Sequence, residues 1–265
     1  MSELTESALK AASNFLATLW REGRHTDALP PELRPRSRAE GYAIQSLIEL
    51  HSAQPLRGWK IAATSAAGQR HLDVDGPLAG RLLAEKIVPM GEPVSLGTNR
   101  MLVAEIEFVF KMDRALPPRL AAYTQGEVAA AVAALHLGIE VPDSRYRDFI
   151  AVGSPQLIAD NACADQFVLG PEVAAAWRRE SLAAHRVQGR NSRGTVHDGS
   201  GTNVLGNPWS ALTWLANELS RHGIVLGAGQ IVTTGTCIVP MPIAPGDIIT
   251  ADYGAFGNME VRFVP

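Results

Sequence analysis

Glu105 and Glu107 stand two residues apart inside MLVAEIEFVF, residues 101–110, a run otherwise made of apolar side chains. A strand turns successive side chains to opposite faces and rises about 3.3 Å per residue, so both carboxylates leave one face with their roots about 6.6 Å apart. Leu102, Ala104, Ile106, Phe108 and Phe110 form the other, wholly apolar face. Met101, Val103 and Val109 share the face of the two acids, which is therefore mostly apolar too. Two carboxylates there repel one another and lose hydration, which raises their pKa unless a cation or several donors compensate. A hard divalent cation answers both costs. The competing reading is a curved strand whose middle meets water or arginines across the sheet. A third acid, Glu140, occurs in the extended-looking GIEVPDS, residues 138–144. Three oxygen ligands would suit Mg²⁺ or Mn²⁺ with positions left for substrate or water. His71, His136 and His185 lack zinc spacing and read as surface or packing histidines.

The elements that must carry these residues are legible in outline. Residues 5–23 repeat Leu9, Ala12, Leu16 and Leu19 at helical spacing, and a proline-rich connector leads to a second helix in which Ile44, Leu47 and Ile48 share a face. These give an N-terminal helical portion over residues 1–57, expected not to fold independently, ahead of a core over residues 58–265. GWKIAATS, residues 58–65, reads as a strand entering a turn. TQGEVAAAVAALHLG, residues 124–138, carries a capping-box spacing at Thr124 and Glu127, with Gly138 placed to stop a helix. Residues 185–201 read as a hairpin with an irregular tip, and Asn207 and Pro208 open a helix with a stripe through Ala211, Leu212, Leu215 and Leu219. Short strands fill the C-terminal part. The fold class is α+β, a mixed sheet packed into a barrel-like body.

Composition narrows the function classes. Hydrophobic residues make up 46% and charged residues 19%, as in an ordinary globular protein rather than a disordered one. The formal charge of −3, without a basic block or interleaved aromatic and basic residues, argues against a nucleic-acid partner. No stretch of about 18 apolar residues occurs, so no membrane span is expected. The N-terminus lacks an apolar leader core, and the two cysteines, Cys163 and Cys237, lack metal-type spacing, so a reduced, cytoplasmic protein is the simplest expectation.

The ordered set GWKIAATS, AEIEFVF, GIEVPDS, IADNACADQFVLG, VLGNP followed by WLANEL, and APGDIITADYG resembles the fumarylacetoacetate hydrolase superfamily. Within it, the chain is most similar to the branch of 2-keto-4-pentenoate hydratases and 2-oxo-3-hexenedioate decarboxylases, which serve bacterial aromatic-ring breakdown. The resemblance runs from about the first helix to the C-terminus. It implies a mixed β-roll core, assembly into homo-oligomers, and a divalent metal, Mg²⁺ or Mn²⁺, on Glu105, Glu107 and Glu140. It also places the family's active-site lysine on Lys60, which would assist proton transfer or pair with a substrate carboxylate; the plainer reading is a lysine at a strand end reaching for water.

Other positions carry weaker assignments. Thr64 and Ser65 can offer hydroxyls to substrate or merely close a turn. Asp75 is a proton-transfer candidate or a solvated turn aspartate. Relatives often place an acid just after the proline of this stretch, where this chain has Leu78, and small serine or glycine residues after Asp160-Asn161, where it has Cys163, Ala164, Asp165 and Gln166. Asn161 can orient a ligand through its amide or form a buried turn, and Cys163 is better read as small and apolar than as a nucleophile. Thr234, beside Gly235, can hold a substrate carboxylate or simply end a strand. Arg145 and Arg147 can complement Glu140 or face solvent.

The resulting expectation is a lyase that hydrates a small 2-hydroxy-2,4-dienoate to a 4-hydroxy-2-oxo acid. Decarboxylation of 2-oxohex-3-enedioate or a related diacid is the alternative, since one metal site serves either. An acylpyruvate-type hydrolase would need a base and acid acting together, for which only His25 offers a start. A non-enzymatic oligomeric protein binding metal or small acids is the remaining class.

Overall fold

The structure, a computed structural model, describes residues 3–265. Helices α1 (Glu6–Glu22) and α2 (Arg38–Ser46) lead to β1 (Gly58–Ala62), α3 (Ala66–Leu72), β2 (Leu78–Leu82), β3 (Ile87–Val88), β4 (Val94–Ser95) and β5 (Val103–Met112). Next come α4 (Gln125–Ala129), β6 (Val132–Val141), α5 (Ser154–Ala159), β7 (Gln166–Glu172), β8 (Arg186–Asn191) and β9 (Val196–Ser200). The last elements are α6 (Pro208–Arg221), β10 (Ile231–Thr236), β11 (Met241–Pro242), β12 (Ile248–Asp252) and β13 (Asn258–Val264).

An eight-stranded sheet runs β2-β1-β10-β5-β6-β7-β3, with β11 on the start of β5, and a five-stranded sheet runs β4-β13-β12-β8-β9. The first is mixed, because β1 lies parallel to β10 while β5 is antiparallel to both its neighbours, and it curls into a half-barrel. The fold is thus α+β, as the sequence leads one to expect. No helix among the described residues is long and apolar enough to cross a membrane.

The two faces of β5 separate as alternation requires. Ala104, Ile106, Phe108 and Phe110 are wholly buried in the main core, which α6 closes with Leu212, Leu215 and Leu219. On the carboxylate face, Val109 joins Leu82, Phe167 and Ile231 in a separate apolar cluster. The strand starts two residues later than its pattern suggests: Leu102 takes a left-handed φ of 47° and is 39% exposed, so it does not extend the apolar face. Burial of an apolar side chain is worth about 1.5–3 kcal/mol, and β5 threads its largest ones between the two layers.

A larger departure follows α4. The capping box forms as expected, yet the helix ends at Ala129 and the alanine-rich remainder becomes β6. Local preference for helix yields to pairing along most of β5, from Glu105 opposite Glu140 to Met112 opposite Val132. Glu140 therefore sits near the end of a strand, not after a helix. At the N-terminus, α1 and α2 bury Ala12, Leu16 and Ile44 against Tyr146 and Ala159.

Candidate metal centre

The pairing of β5 with β6 sets the acids together. Glu105 faces Glu140 directly, Glu107 stands two residues along on the same face, and one oxygen of each carboxylate lies within 4.8 Å of the others. Glu107 and Glu140 are buried and Glu105 is partly so. Burial raises all three carboxyl pKa values above the ordinary range: Glu107 well above it, with Glu140 and Glu105 adding repulsion, and Glu140 to about 7 against the opposing pull of Lys60.

Lys60 enters from β1, across β10. Its Cα partners are Gly80 on β2 and Thr233 on β10, and Thr233 in turn faces Val109 on β5. The ammonium is buried, lies 3.0 Å from Glu140 Oε1, and donates to the Ala162 carbonyl at 3.1 Å. Burial alone would lower its pKa, but Glu140 and then Glu105 outweigh that and hold it above the ordinary lysine range. Lys60 is thus a fixed cation, not a strand-end lysine reaching for water.

Glu107 is held from β10. Its Oε2 accepts from the Thr233 hydroxyl and from the Gly235 N–H at 2.7 Å. Gly235 has φ +101°, and a Cβ there would lie 2.0 Å from Thr64 Oγ1, so glycine is what lets the backbone donor approach. From the core side, the Tyr253 hydroxyl shares its proton between the carbonyls of Glu107 at 2.8 Å and Gly138 at 3.0 Å, joining β5 to β6 behind the acids.

What remains unsatisfied is informative. Glu107 Oε1 and both Glu140 carboxylate oxygens are buried without a hydrogen-bond donor, the Lys60 contact to Glu140 being an ion pair. Buried oxygens are seldom left so. Three converging carboxylates with free lone pairs fit a hard divalent cation. Metal-free protein should then lose stability as pH rises. These carboxyls have folded pKa values above their unfolded value of about 4.3, so their contribution is full below that value and disappears as pH passes the folded values, about 7 for Glu140. Lys60 stays charged throughout. The expected result in calorimetry is a lower Tm at about pH 8 than at about pH 6 without metal, and a smaller difference with Mg²⁺; a metal-independent Tm would contradict it.

The other candidates divide. Thr64 is buried against Gly235 and so belongs to the cluster's surroundings, while Ser65 caps α3, accepting from Gly68 N–H at 3.0 Å. Thr234 is turned to the opposite face and donates to the Phe108 carbonyl at 3.0 Å; its neighbour Thr233 is the threonine at the acids. Asn161 directs its amide at the backbone of Arg81, accepting at 2.6 Å and donating at 2.8 Å, which anchors a turn. Asp75 has a side chain 82% exposed, 3.4 Å from Arg38, outside the cluster. Burial pushes the Cys163 thiol up to about 12, which leaves it inert.

Arg145 is buried on Asp160 and Arg147 pairs with Asp27, so neither complements Glu140. His25 lines a separate polar cleft of about 160 Å³ with Trp20, Lys86 and Asp143, its Nε2 3.9 Å from Asp143 Oδ2. Sequence reasoning missed Thr233, Tyr253 and the Ala162 carbonyl, and it pointed to backbone donors beside Gly235 for a substrate carboxylate, where the Gly235 N–H holds Glu107. The doublet Thr233-Thr234 guarantees that one threonine faces the acids, but the choice depends on the register of β10 against β1.

Thr233→Val should weaken Mg²⁺ binding about 10- to 100-fold, the usual cost of removing a group that orients a metal ligand. Calorimetric titration checks this, and unchanged affinity in the folded variant would remove Thr233 from that role.

Comparison with known proteins places the chain in a family. Residues 69–264 match the model of the fumarylacetoacetate (FAA) hydrolase C-terminal family. The chain is 30% identical to a 4-oxalocrotonate decarboxylase of Pseudomonas sp. (strain CF600), covering 88% of this chain and 82% of that protein. It is 31% identical to a 2-keto-4-pentenoate hydratase of Burkholderia vietnamiensis, covering 84% of each. Among solved structures, it superposes with a TM-score of 0.90 on the 4-oxalocrotonate decarboxylase of Pseudomonas putida G7 complexed with magnesium and adipate, at 26% identity over 100% of both chains. The chain belongs to the fumarylacetoacetate hydrolase family, with relatives over most of its length named as 2-keto-4-pentenoate hydratases and 4-oxalocrotonate decarboxylases.

Proposed function

We propose that this protein is a metal-dependent lyase that hydrates a small 2-hydroxy-2,4-dienoate to a 4-hydroxy-2-oxo acid, in the breakdown of aromatic compounds. The observation that carries the reading is the set of three converging carboxylates whose buried oxygens lack donors, with one fixed ammonium against them. Glu105, Glu107 and Glu140 would hold Mg²⁺ or Mn²⁺, and Lys60 is the catalytic group. Such an ion would supply Lewis acidity, stabilising negative charge that develops on a 2-oxo or 2-hydroxy acid.

The chain's own residues supply the rest. The Lys60 ammonium donates to the Ala162 carbonyl and lies in an ion pair with Glu140, which uses fewer than its three donors. The ammonium can pair with the developing enolate, whose remote carbon takes up one proton in place of the one lost from the 2-hydroxyl, so that this step is a net proton shift. The resulting α,β-unsaturated ketone takes up water at the adjacent carbon. Thr233 and the Gly235 N–H hold Glu107 in place during these steps. Thr64 lies at the edge of this site and is proposed to contact substrate.

Hydration is favoured over decarboxylation by the surroundings of Lys60. Ala62 and Leu78, paired across β1 and β2, stand on the same face as Lys60 and present apolar walls. Among the described residues, no other lysine or arginine forms an ion pair with the three acids. A short uncharged tail fits such a wall better than a second carboxylate. The decarboxylase reading is retained on the strength of the full-length likeness to the Pseudomonas putida G7 protein.

Product analysis by NMR separates the readings. Freshly generated 2-hydroxypenta-2,4-dienoate and 2-oxohex-3-enedioate are added separately to metal-stripped protein with and without Mg²⁺ or Mn²⁺. Metal-dependent appearance of the 4-hydroxy-2-oxo acid is the expected result. Loss of CO₂ from the diacid alone would establish the second reading, and no change in either would overturn both.

A further inference from the structure

Asn161, Ala162 and Cys163 are three consecutive non-glycine residues with left-handed φ values of 57°, 50° and 61°, and all three are buried. Such backbone persists only where its surroundings impose it, and here the surroundings lead to Lys60. The Asn161 amide clasps the backbone N–H and carbonyl of Arg81 on β2, one residue past Gly80. The turn closes further through Ala164 N–H on the Asn161 carbonyl at 3.0 Å and Asp143 N–H on the Cys163 carbonyl at 3.0 Å. Its middle residue then presents the Ala162 carbonyl to Lys60 Nζ at 3.1 Å.

Gly80 completes the arrangement. It lies opposite Lys60 in the β1–β2 ladder, and a Cβ on it would meet the Asn161 carbonyl oxygen at 2.4 Å and Lys60 Cγ and Cδ at 2.9 and 3.0 Å. The lysine stem and the left-handed turn thus both lie over a residue that has no side chain. We infer that the left-handed turn Asn161–Cys163, clamped on β2 above Gly80, positions the Lys60 ammonium: Gly80 sets the path of the stem, and the Ala162 carbonyl fixes the head against Glu140. Asn161 and Gly80 are positioning residues that act through Lys60 and touch neither metal nor substrate. The inference rests on the catalytic role proposed for Lys60 only for its effect on turnover; the placement of the ammonium is measurable without it.

Two variants disturb the device in different ways. Gly80→Ala pushes a methyl into the stem and the Asn161 carbonyl. Asn161→Gly removes the clasp while relieving the left-handed backbone, so it guards against a Gly80→Ala chain that fails to fold. In ¹⁵N-lysine-labelled, Mg²⁺-loaded protein, an ordered buried ammonium gives its own proton–nitrogen resonance, assigned by its loss in Lys60→Met. The expected result is that this resonance shifts or broadens in both variants while Mg²⁺ affinity stays within about twofold of the parent. Turnover number falls about 10- to 100-fold with KM little changed, and neither substitution lowers it further in the Lys60→Met background. An unchanged resonance in the folded variants, none assignable to Lys60 in the parent, or losses that add to that of Lys60→Met would overturn the inference. If the parent turns over neither dienoate nor diacid, the proposed activity fails while the resonance still decides the positioning.

Discussion

Glu107→Gln is expected to lower Mg²⁺ affinity by several hundredfold and to remove turnover with it. The substitution keeps the shape of the side chain and removes one negative charge from a buried group of three. A unit charge interaction at about 4 Å is worth about 4 kcal/mol at the effective dielectric of a protein site, which corresponds to roughly a thousandfold in affinity. The same change should make metal-free protein more stable. In the parent, Glu107 is held well above its ordinary pKa by burial and by repulsion from Glu140 and Glu105, and an amide avoids both costs. A raised Tm without metal, together with loss of the Tm gain on adding Mg²⁺, is a signature that general damage would not give. Ordinary Mg²⁺ affinity and turnover in folded Glu107→Gln would sink the ligand assignment.

Lys60→Ala should reduce turnover by about 10² to 10⁴, the range for removing a positioned proton-transfer group, while Mg²⁺ affinity changes far less. Its ammonium contacts Glu140 but occupies only one oxygen of one carboxylate, leaving Glu140 Oε2 and Glu107 Oε1 for the ion. Removing the buried cation leaves Glu140 without its partner, so metal-free stability should fall by about 3–5 kcal/mol, an effect that bound Mg²⁺ offsets. Parallel titration calorimetry and steady-state kinetics separate the two quantities. Equal, large losses of both would instead make Lys60 a support of the metal site.

The sequence discloses the site where chemistry and local periodicity coincide. Glu105 and Glu107 are legible because strand alternation alone puts them on one face, and their cost on an apolar face is one that a cation or several donors would meet. That Glu140 meets Glu105 depends on β6 lying antiparallel to β5, and the sequence of β6 argues against itself: alanines after a well-formed capping box favour a helix. Pairing with β5 overrides that preference. The choice between Thr233 and Thr234 depends on parallel register with β1, and no residue in either strand encodes that register by itself.

Asn161 shows another limit. An amide in a polar turn reads equally as a ligand or as an anchor, and only its two bonds to Arg81 reveal the anchor. Asp75 likewise has the right functional group in the right stretch, yet it faces solvent beside Arg38. Left-handed backbone at Ala162 and Cys163 costs about 1–2 kcal/mol per residue and has no sequence signature, since neither residue favours it. The carbonyl that it aims at Lys60 could be found only in three dimensions.

The most direct test is anomalous diffraction from crystals of the protein grown with Mn²⁺ and a non-reacting 2-oxo acid. The proposed site requires a single strong anomalous peak enclosed by Glu105, Glu107 and Glu140, with the acid's carboxylate and 2-oxygen turned toward it and the Lys60 ammonium in contact with the acid. A peak elsewhere, for instance in the polar cleft beside His25 and Asp143, with the three glutamates left without an ion, would contradict the assignment on which the proposed chemistry depends.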